Sequence, residues 1–368
     1  MNYKNYKIEH LSSDRLWIGH YPCGDADGGN GRLIIRAGDN AGSMTIRSND
    51  GGRTWELRRD ITNTDHMRRL SDGSYIGIGF GSLAVHHFDP KHQKKIPYIM
   101  KTLHAENYDA LVAGDAQSAF CMPDIPDLAV GYGDSGDERN YHTGVVGSGI
   151  VELDDGSILI AMYGQFGEDK TRLPYFTKYN FYQYRTWVMI SHDRGNTFEF
   201  LSTVADVQSQ PIDTAAEGFC EPDLLYLGGG HVLCVMRTQG HEVYSPMYAS
   251  HSYDSGRTWS PVSKVEDFGV LPRLLKMKNG AVVLASGKWD TFLKISADDG
   301  ESWSDRIIVK ENRGQWDRGP SGYTSIFETA DDELLIVYDH TDDPVSDDIK
   351  YGERRVIYAD RFRITAEK

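Results

Sequence analysis

The chain of 368 residues carries a formal net charge of −15, and its acidic side chains are spread along the whole length. This charge makes nucleic acids and anionic membranes poor partners. A hydrophobic content of 39%, with 38 Gly and 21 Tyr, provides for a large core. Such a composition suits an all-β repeat protein that runs as one domain from residue 1 to residue 368.

The predicted elements of the first half are strands joined by tight turns that contain Gly or Asp. Residues 3–11 form a strand with no partner of its own, and a first strand pair begins at Leu16 and continues through 31–35. A second pair occupies 67–79. The segment 114–141 is rich in Asp, Gly and Pro, which predicts a long excursion from the sheets.

The same scheme continues in the second half with strand pairs at 149–161, 223–236, 274–285 and 324–338. The last unit ends at 355–358 and is one strand short, so we expect the spare N-terminal strand to complete it and leave no exposed sheet edge. This gives six units, or seven if the 114–141 excursion forms a unit of its own. No stretch shows sustained helical periodicity, so helix should be scarce.

One eight-residue pattern, S-x-D-x-G-x-[TS]-[WF], occurs four times, at 48–55, 191–198, 252–259 and 296–303. Each copy follows a short apolar, β-prone run and reads as a turn between antiparallel strands. The Asp accepts hydrogen bonds from backbone N–H groups two residues further on, and the Gly supplies a left-handed position. Four copies indicate a repeat architecture.

This pattern resembles the Asp-box of the sialidase (neuraminidase) superfamily. The resemblance implies a six-bladed β-propeller whose ring is closed by the N-terminal strand. The box is a folding element that also occurs in many proteins that are not sialidases, so it argues for the fold more than for an activity. In such propellers the functional residues lie near the starts of the inner strands.

Blade 4 carries a close similarity to the family in the stretch EPDLLYLGGGHVLCVMRT at 221–238. The corresponding sialidase segment places a glutamate general base at the start of one strand and an arginine of the substrate-binding triad at the end of the next. Because antiparallel strands return to the same end, we expect Glu221 and Arg237 to face each other. A structural ion pair at the blade edge is the alternative.

Blade 6 carries a second similarity, in GPSGYTSI at 319–326 and LLIVYD at 334–339. By this resemblance Tyr323 is the nucleophile, Glu221 takes its proton, and Asp339 orients a cationic partner. A phenol has a pKa of about 10, and pairing it with a base avoids placing a carboxylate against an anionic substrate. The alternative for Tyr323 is a buried aromatic residue.

Two arginines of the family triad are replaced in this chain. GHYP at 19–22 has His20 where the first arginine stands, and GKWD at 287–290 has Lys288 where the third stands. Lysine does not reproduce the bidentate carboxylate binding of arginine. Arg68 and Arg273 lie near the starts of inner strands. They either replace the missing arginines in binding the substrate carboxylate or are ordinary structural arginines.

The acid/base aspartate of the family lies in blade 1, where Asp25 and Asp39 are both candidates that the sequence does not separate. His20 and His142 raise the possibility of a histidine base, whereas the absence of any H-x-x-x-H spacing argues against a metal. The four cysteines also lack CxxC and metal-ligand spacing, so we expect free thiols and no cofactor.

The function we favour is an exo-acting glycoside hydrolase that removes a terminal anionic sugar. Arg237, with Lys288 or Arg273, would hold the carboxylate of this carbohydrate substrate, and the two lost arginines put sialic acid itself in doubt. One rival is a uronide-directed polysaccharide lyase, or a glycosidase for another sugar, using His20 or His142 with Tyr323. Another is a carbohydrate-binding propeller without catalysis.

The N-terminus bears on the compartment. Residues 1–7 lack the apolar core of a signal peptide, and no apolar run reaches transmembrane length. We therefore expect a cytoplasmic protein, or a secreted or periplasmic one if a signal peptide has been removed.

Overall fold

A computed structural model describes most of the chain. The described residues are 6–39, 41–59, 67–84, 99–126, 144–164, 166, 169, 183–212, 218–238, 245–312, 321–341 and 355–367.

The strands in chain order are β1 (Tyr6–Ile18), β2 (His20–Gly29), β3 (Arg32–Asp39), β4 (Gly42–Ser48), β5 (Glu56–Arg58), β6 (Met67–Arg69), β7 (Tyr75–Ala84), β8 (Ile99–Ala105), β9 (Gln117–Cys121), β10 (Gly144–Glu152), β11 (Ile158–Gly164) and β12 (Arg185–Ser191). They continue with β13 (Glu199–Ala205), β14 (Cys220–Gly228), β15 (His231–Arg237), β16 (Met247–Ser252), β17 (Ser263–Glu266), β18 (Arg273–Lys276), β19 (Val282–Ser286), β20 (Thr291–Ser296), β21 (Ile307–Lys310), β22 (Thr324–Ala330), β23 (Glu333–Thr341) and β24 (Arg355–Ala366). One helix, α1 (Tyr108–Ala113), lies between β8 and β9.

Six four-stranded sheets form the blades of a β-propeller, as the sequence predicted. The strand orders are β2-β3-β4-β5, β6-β7-β8-β9, β10-β11-β12-β13, β14-β15-β16-β17, β18-β19-β20-β21 and β1-β24-β23-β22, which we call blades 1 to 6. The N-terminal strand pairs antiparallel with β24, from Tyr6 opposite Ala366 to Ile18 opposite Val356. The expectation that this strand completes the last blade is confirmed.

The chain divides into two compact units. The first comprises 1–77, 105–116 and 268–368 and contains blades 1, 5 and 6. The second comprises 78–104 and 117–267 and contains blades 3 and 4. In blade 2, β6 and the first residues of β7 belong to the first unit, and the other strands belong to the second.

Apolar cores lie between neighbouring blades within each unit. In the first unit, one cluster joins blades 5 and 6 around Leu293 and Ile336, and another joins blades 1 and 6 around Ile35 and Val337. In the second unit, a cluster between blades 3 and 4 includes Leu159. All of these side chains are at most 2% exposed, so the strand faces that carry them are buried. Functional side chains are therefore expected on the loops and strand ends.

The Asp-boxes form one repeated hydrogen-bonded turn. In the first copy, Asp50 accepts the backbone N–H and the hydroxyl of Thr54 at 2.8 and 2.5 Å, and the Ser48 hydroxyl accepts the N–H of Gly52. Burial alone would raise the pKa of Asp50, but the hydrogen bonds from Thr54, Ser48 and Arg53 lower it to about 2. The glycine is left-handed as expected, with φ of 78°, but the aspartate reaches four residues ahead rather than two.

Three expectations about the elements were wrong. The N-terminal strand runs over Tyr6–Ile18 rather than 3–11, so Leu16 belongs to it and blade 1 begins at His20. Within the 114–141 excursion, Gln117–Cys121 forms the fourth strand of blade 2, and the described residues contain no seventh sheet. Residues 127–143 of that segment lie outside the described ones.

Helix is scarce, as expected. The one described helix, α1, has six residues, with Asn107 accepting the N–H of Ala110 at its start and left-handed Gly114 at its end. It is far too short to cross a bilayer, and no other helix occurs among the described residues. All four cysteines are free thiols, as predicted.

Candidate functional site

Two tyrosines meet where blade 1 begins and blade 6 begins, within the first unit. The ring of Tyr21 lies 5.3 Å from that of Tyr323, with an angle of 52° between the ring planes. Tyr323 directly precedes β22 and is half-buried. Tyr21 is 39% exposed and has a left-handed backbone with φ of 56°. The structure therefore places the predicted nucleophile beside a second, more exposed phenol.

The buried carboxylate of Asp339 ties together the two segments that carry these tyrosines. One oxygen accepts the backbone N–H of Tyr21 at 2.8 Å, and the other accepts that of Ser321 at 2.6 Å. Asp339 is 0% exposed and lies in β23, whose all-buried core residues fix its position. Asp339 thus fixes the segments of Tyr21 and Ser321 relative to each other, in addition to its predicted interaction with a cation.

The cation that faces Asp339 is Arg355, which sequence reasoning did not select. Its Nη1 lies 3.8 Å from Asp339 Oδ2, its side chain is 2% exposed, and its guanidinium lies 5.6 Å from the Tyr21 ring centroid. β24 begins at Arg355 and pairs with β23 in antiparallel register, with Asp339 opposite Ile357. An arginine at the start of the β-prone run 355–358 was the only signal in the sequence.

Lys288 lies in a strained loop that abuts the Tyr323 segment. Lys288 and Trp289 both have positive φ, at 93° and 67°, which is uncommon for non-glycine residues. A Cβ on Gly322 would lie 3.1 Å from the backbone nitrogen of Lys288, and one on Gly287 would clash with Gly322. Only glycine at 287 and 322 allows this approach, which brings the Lys288 backbone next to the residue before Tyr323.

Asp25 is a buried bridge between two arginines rather than an exposed carboxyl. Arg273 Nη2 donates to Asp25 Oδ2 at 2.9 Å, and Arg68 Nη1 donates to Oδ1 at 3.0 Å. The side chains of Asp25 and Arg273 are 4% and 2% exposed, whereas Arg68 is 31% exposed. Arg273 also donates to the backbone oxygen atoms of Cys23 and Thr324, so it links the start of blade 1 to the start of blade 6.

This bridge brings two guanidiniums to one carboxylate. Of the two, Arg68 is the more exposed to solvent. Cys23 in the same region is half-buried, and desolvation of its thiol raises its pKa to about 12 although the charge of Arg273 lowers it. A thiol with so high a pKa is not a nucleophile at neutral pH.

Asp39 and His20 lie at the adjoining end of blade 1. Asp39 forms an ion pair with Arg59, and the hydrogen bond from Arg59 is the main cause that lowers the pKa of Asp39. The charge of His20 contributes to that lowering. The His20 ring meets the Tyr21 ring edge-on at 4.9 Å, so His20 and Tyr323 both contact the ring of Tyr21.

In the second unit, Glu221 and Arg237 form a bidentate pair. Arg237 Nε donates to Glu221 Oε2 at 2.8 Å and Nη2 donates to Oε1 at 3.1 Å. The Glu221 side chain is 6% exposed and that of Arg237 is 14% exposed. The antiparallel return of β15 on β14 brings them together, with Cys220 opposite Arg237.

A bulge at the start of β14 aims the Glu221 side chain. The pairing register shifts between Cys220 and Asp223, and Glu221 has a left-handed φ of 48°. Tyr163 lies near enough to respond electrostatically, because burial first and the Glu221 charge second raise the pKa of its phenol. A strained carboxylate of this kind is typical of functional sites, where the surrounding structure holds it.

His142 falls outside the described residues. Among the described ones, no three His, Cys, Asp or Glu side chains lie close enough to hold a metal ion.

The sequence matches one protein-family model, described as a BNR repeat-like domain, over residues 135–336. The match covers more than half of the chain. The chain belongs to the BNR repeat-like family. No curated protein gives a significant match.

Solved structures show the same fold at low sequence identity. A Dyadobacter fermentans protein of unknown function superposes with a TM-score of 0.63 at 16% identity, over 97% of this chain and 99% of that one. A Hadza microbial sialidase gives 0.57 at 13% identity, over 95% of this chain and 66% of that one. Trypanosoma rangeli sialidase, as a covalent intermediate with 2,3-difluorosialic acid, gives 0.53 at 13%, over 95% and 54%.

The chain thus spans about two thirds and about half of the lengths of these two sialidases. These neighbours, with the family match, show that the chain has the BNR-repeat β-propeller fold that the two sialidases also have.

Proposed function

We propose that this BNR repeat-like propeller is an exo-acting glycoside hydrolase that removes a terminal, anionic sugar. The observation that carries the proposal is the Tyr21–Tyr323 pair held by buried Asp339 at the start of blades 1 and 6. It is a pre-positioned phenol at the part of the fold where the family resemblance implies a nucleophile. The sialidase neighbours support a carbohydrate substrate.

The proposed reaction proceeds through a covalent intermediate. Tyr323 Oη attacks the anomeric carbon while a general base, the role that the family resemblance implies for Glu221, takes the phenolic proton. The bond to the leaving oxygen breaks as a blade 1 aspartate donates a proton to that oxygen. Water then attacks the glycosyl–tyrosine, the aspartate takes a proton from that water, and the phenoxide recovers its proton from the base. Atoms and charge balance over the two steps.

We propose that positively charged side chains among the described residues bind the carboxylate of the substrate. Arg68 is the solvent-exposed arginine of the Asp25 bridge, and Lys288 lies beside the Tyr323 segment. Arg273 is buried and serves to place the bridge. Arg237 was predicted to contact the substrate. Its hydrogen bond to Glu221 supports that proposed role.

Of the two aspartates, Asp39 is the better proposed acid. Both oxygens of Asp25 accept hydrogen bonds from guanidiniums, and its side chain is 4% exposed. Asp39 is 15% exposed and pairs with one arginine whose own side chain is 45% exposed. The lowered pKa of Asp39 means that this carboxyl is protonated, and able to donate its proton, only at acidic pH, so we propose that the activity is highest in acid.

The test is turnover of a panel of fluorogenic sialosides, glucuronides and galactosides. Wild type should release the fluorophore from a charged sugar, and Tyr323→Phe should lower kcat by roughly a thousandfold or more. The control Tyr6→Phe removes a phenol of β1, bonded only weakly at 3.4 Å to Asn279, and should leave kcat unchanged. Equal rates for wild type and Tyr323→Phe would reject the nucleophile.

A second candidate is the uronide lyase, which the contact of His20 with Tyr21 and of Tyr21 with Tyr323 favours. A lyase would abstract a proton next to the carboxylate and give an unsaturated product. New ultraviolet absorbance on a polyuronide, lost in His20→Gln, would support it. Sugar binding without turnover would instead indicate a binding propeller.

A further inference from the structure

We propose that Tyr21 is a stacking residue that selects a pyranose ring by its apolar C–H face, a role that rests on the proposed function of the same site. The inference concerns substrate specificity and adds a residue to which no role has been given above.

The backbone of Tyr21 is held in a conformation that tyrosine avoids. Its φ of 56° is left-handed, a region that bulky non-glycine residues rarely adopt. The register of β2 and β3 shifts between His20 and Gly24, so Tyr21 lies in a bulge. Glycine or asparagine would fit this position with less strain, and backbone strain of this kind is common at ligand-binding sites.

The strain is fixed by a buried hydrogen bond. Asp339, at 0% exposure, accepts the Tyr21 N–H at 2.8 Å, and the same carboxylate faces Arg355. A buried carboxylate is costly unless its hydrogen bonds are made, so this contact holds the bulge firmly. The loop is therefore prearranged and needs no ordering on binding.

The ring is supported by its neighbours but is still exposed. Tyr323 lies at 5.3 Å, His20 meets the ring edge-on at 4.9 Å, and the Arg355 guanidinium lies 5.6 Å from its centroid. The residue nevertheless keeps 39% of its surface open to solvent. An exposed aromatic ring beside the proposed nucleophile offers an apolar surface that matches the C–H face of a sugar ring.

The test uses variants whose new residue suits the left-handed backbone at position 21 or keeps the aromatic ring. Tyr21→Phe keeps the ring, and Tyr21→Gly removes the ring while fitting the left-handed φ, so we expect it to fold, which circular dichroism checks. Tyr253→Ala removes another exposed tyrosine, 61% exposed in the blade 4 Asp-box, and serves as control. The probes are the methyl glycosides of sialic acid, glucuronic acid and galactose, titrated by calorimetry.

We expect Tyr21→Gly to raise Kd for at least one probe by roughly five- to tenfold, and KM of its fluorogenic analogue likewise, with kcat nearly unchanged. Tyr21→Phe and Tyr253→Ala should bind as wild type does. The same weakening should appear in the Tyr323→Phe background, where turnover plays no part.

Unchanged binding by Tyr21→Gly, or no binding of any probe by wild type, would overturn the stacking role. Binding that depends on Tyr21 without any turnover would uphold it while rejecting the hydrolase. Turnover that depends on Tyr323 but not on Tyr21 would do the reverse.

Discussion

Replacing Asp25 by Asn should destabilise the protein strongly, because it removes the one anion between two guanidiniums. The asparagine has the same shape, but its NH2 group faces a guanidinium donor, and the 2%-exposed Arg273 loses a carboxylate partner. The loss of one partner of a buried ion pair costs about 3–5 kcal/mol. The half-exposed Arg68 can relax into solvent, so we expect the lower part of that range.

The assay is urea unfolding followed by tryptophan fluorescence, with the midpoint and slope measured for each variant. The matched control is Asp39→Asn, which breaks an arginine pair of the same blade at the surface and should move the midpoint far less. Asp25→Asn combined with Arg273→Met removes the buried cation and should recover part of the loss. An Asp25→Asn midpoint no lower than that of Asp39→Asn would refute the buried bridge.

Three further predictions address pH and charge. Because the pKa of Asp50 is about 2 in the folded protein, below its usual 3.8, the stability that this box carboxylate contributes should be full above pH 4 to 5 and fall as pH drops through 2, as acid titration of the unfolding midpoint will show. Arg59→Ala should raise the pKa of Asp39 and move the high-pH limb of kcat/KM upward; an unmoved limb excludes Asp39 as the acid. Arg237→Lys should lower kcat/KM by roughly tenfold or more while circular dichroism stays unchanged, since lysine cannot bind Glu221 through two bonds; an unaffected kcat/KM would show the pair to be structural only.

The propeller could be predicted because its repeat is local. Each Asp-box makes its hydrogen bonds within five residues, as Asp50 does with Thr54, so the pattern is visible in the sequence. The middle of β1 was missed because Ser13 and Asp14 interrupt the apolar alternation. They lie in a blade edge, where Ser13 bonds Asp360 on β24 instead of entering a core. β9 was missed for a similar reason, since its Phe120 is 67% exposed.

The site could be predicted only where its partners lie on consecutive strands. Glu221 and Arg237 are 16 residues apart on β14 and β15, so antiparallel pairing alone brings them together. The bond of Arg273 to Asp25 spans 248 positions, and no local pattern signals it. Arg355 was missed because its role depends on the burial of Asp339, which only the packed sheet reveals.

Covalent trapping at Tyr323 tests the proposed chemistry most directly. The protein would be incubated with the 2,3-difluoro analogue of a sugar that it hydrolyses, and its intact and peptide masses would be measured. We predict a gain of one glycosyl group on the peptide that contains Tyr323, and none in Tyr323→Phe. Hydrolysis of the sugar without an adduct on Tyr323, or with the adduct on a carboxylate such as Glu221, would contradict the account.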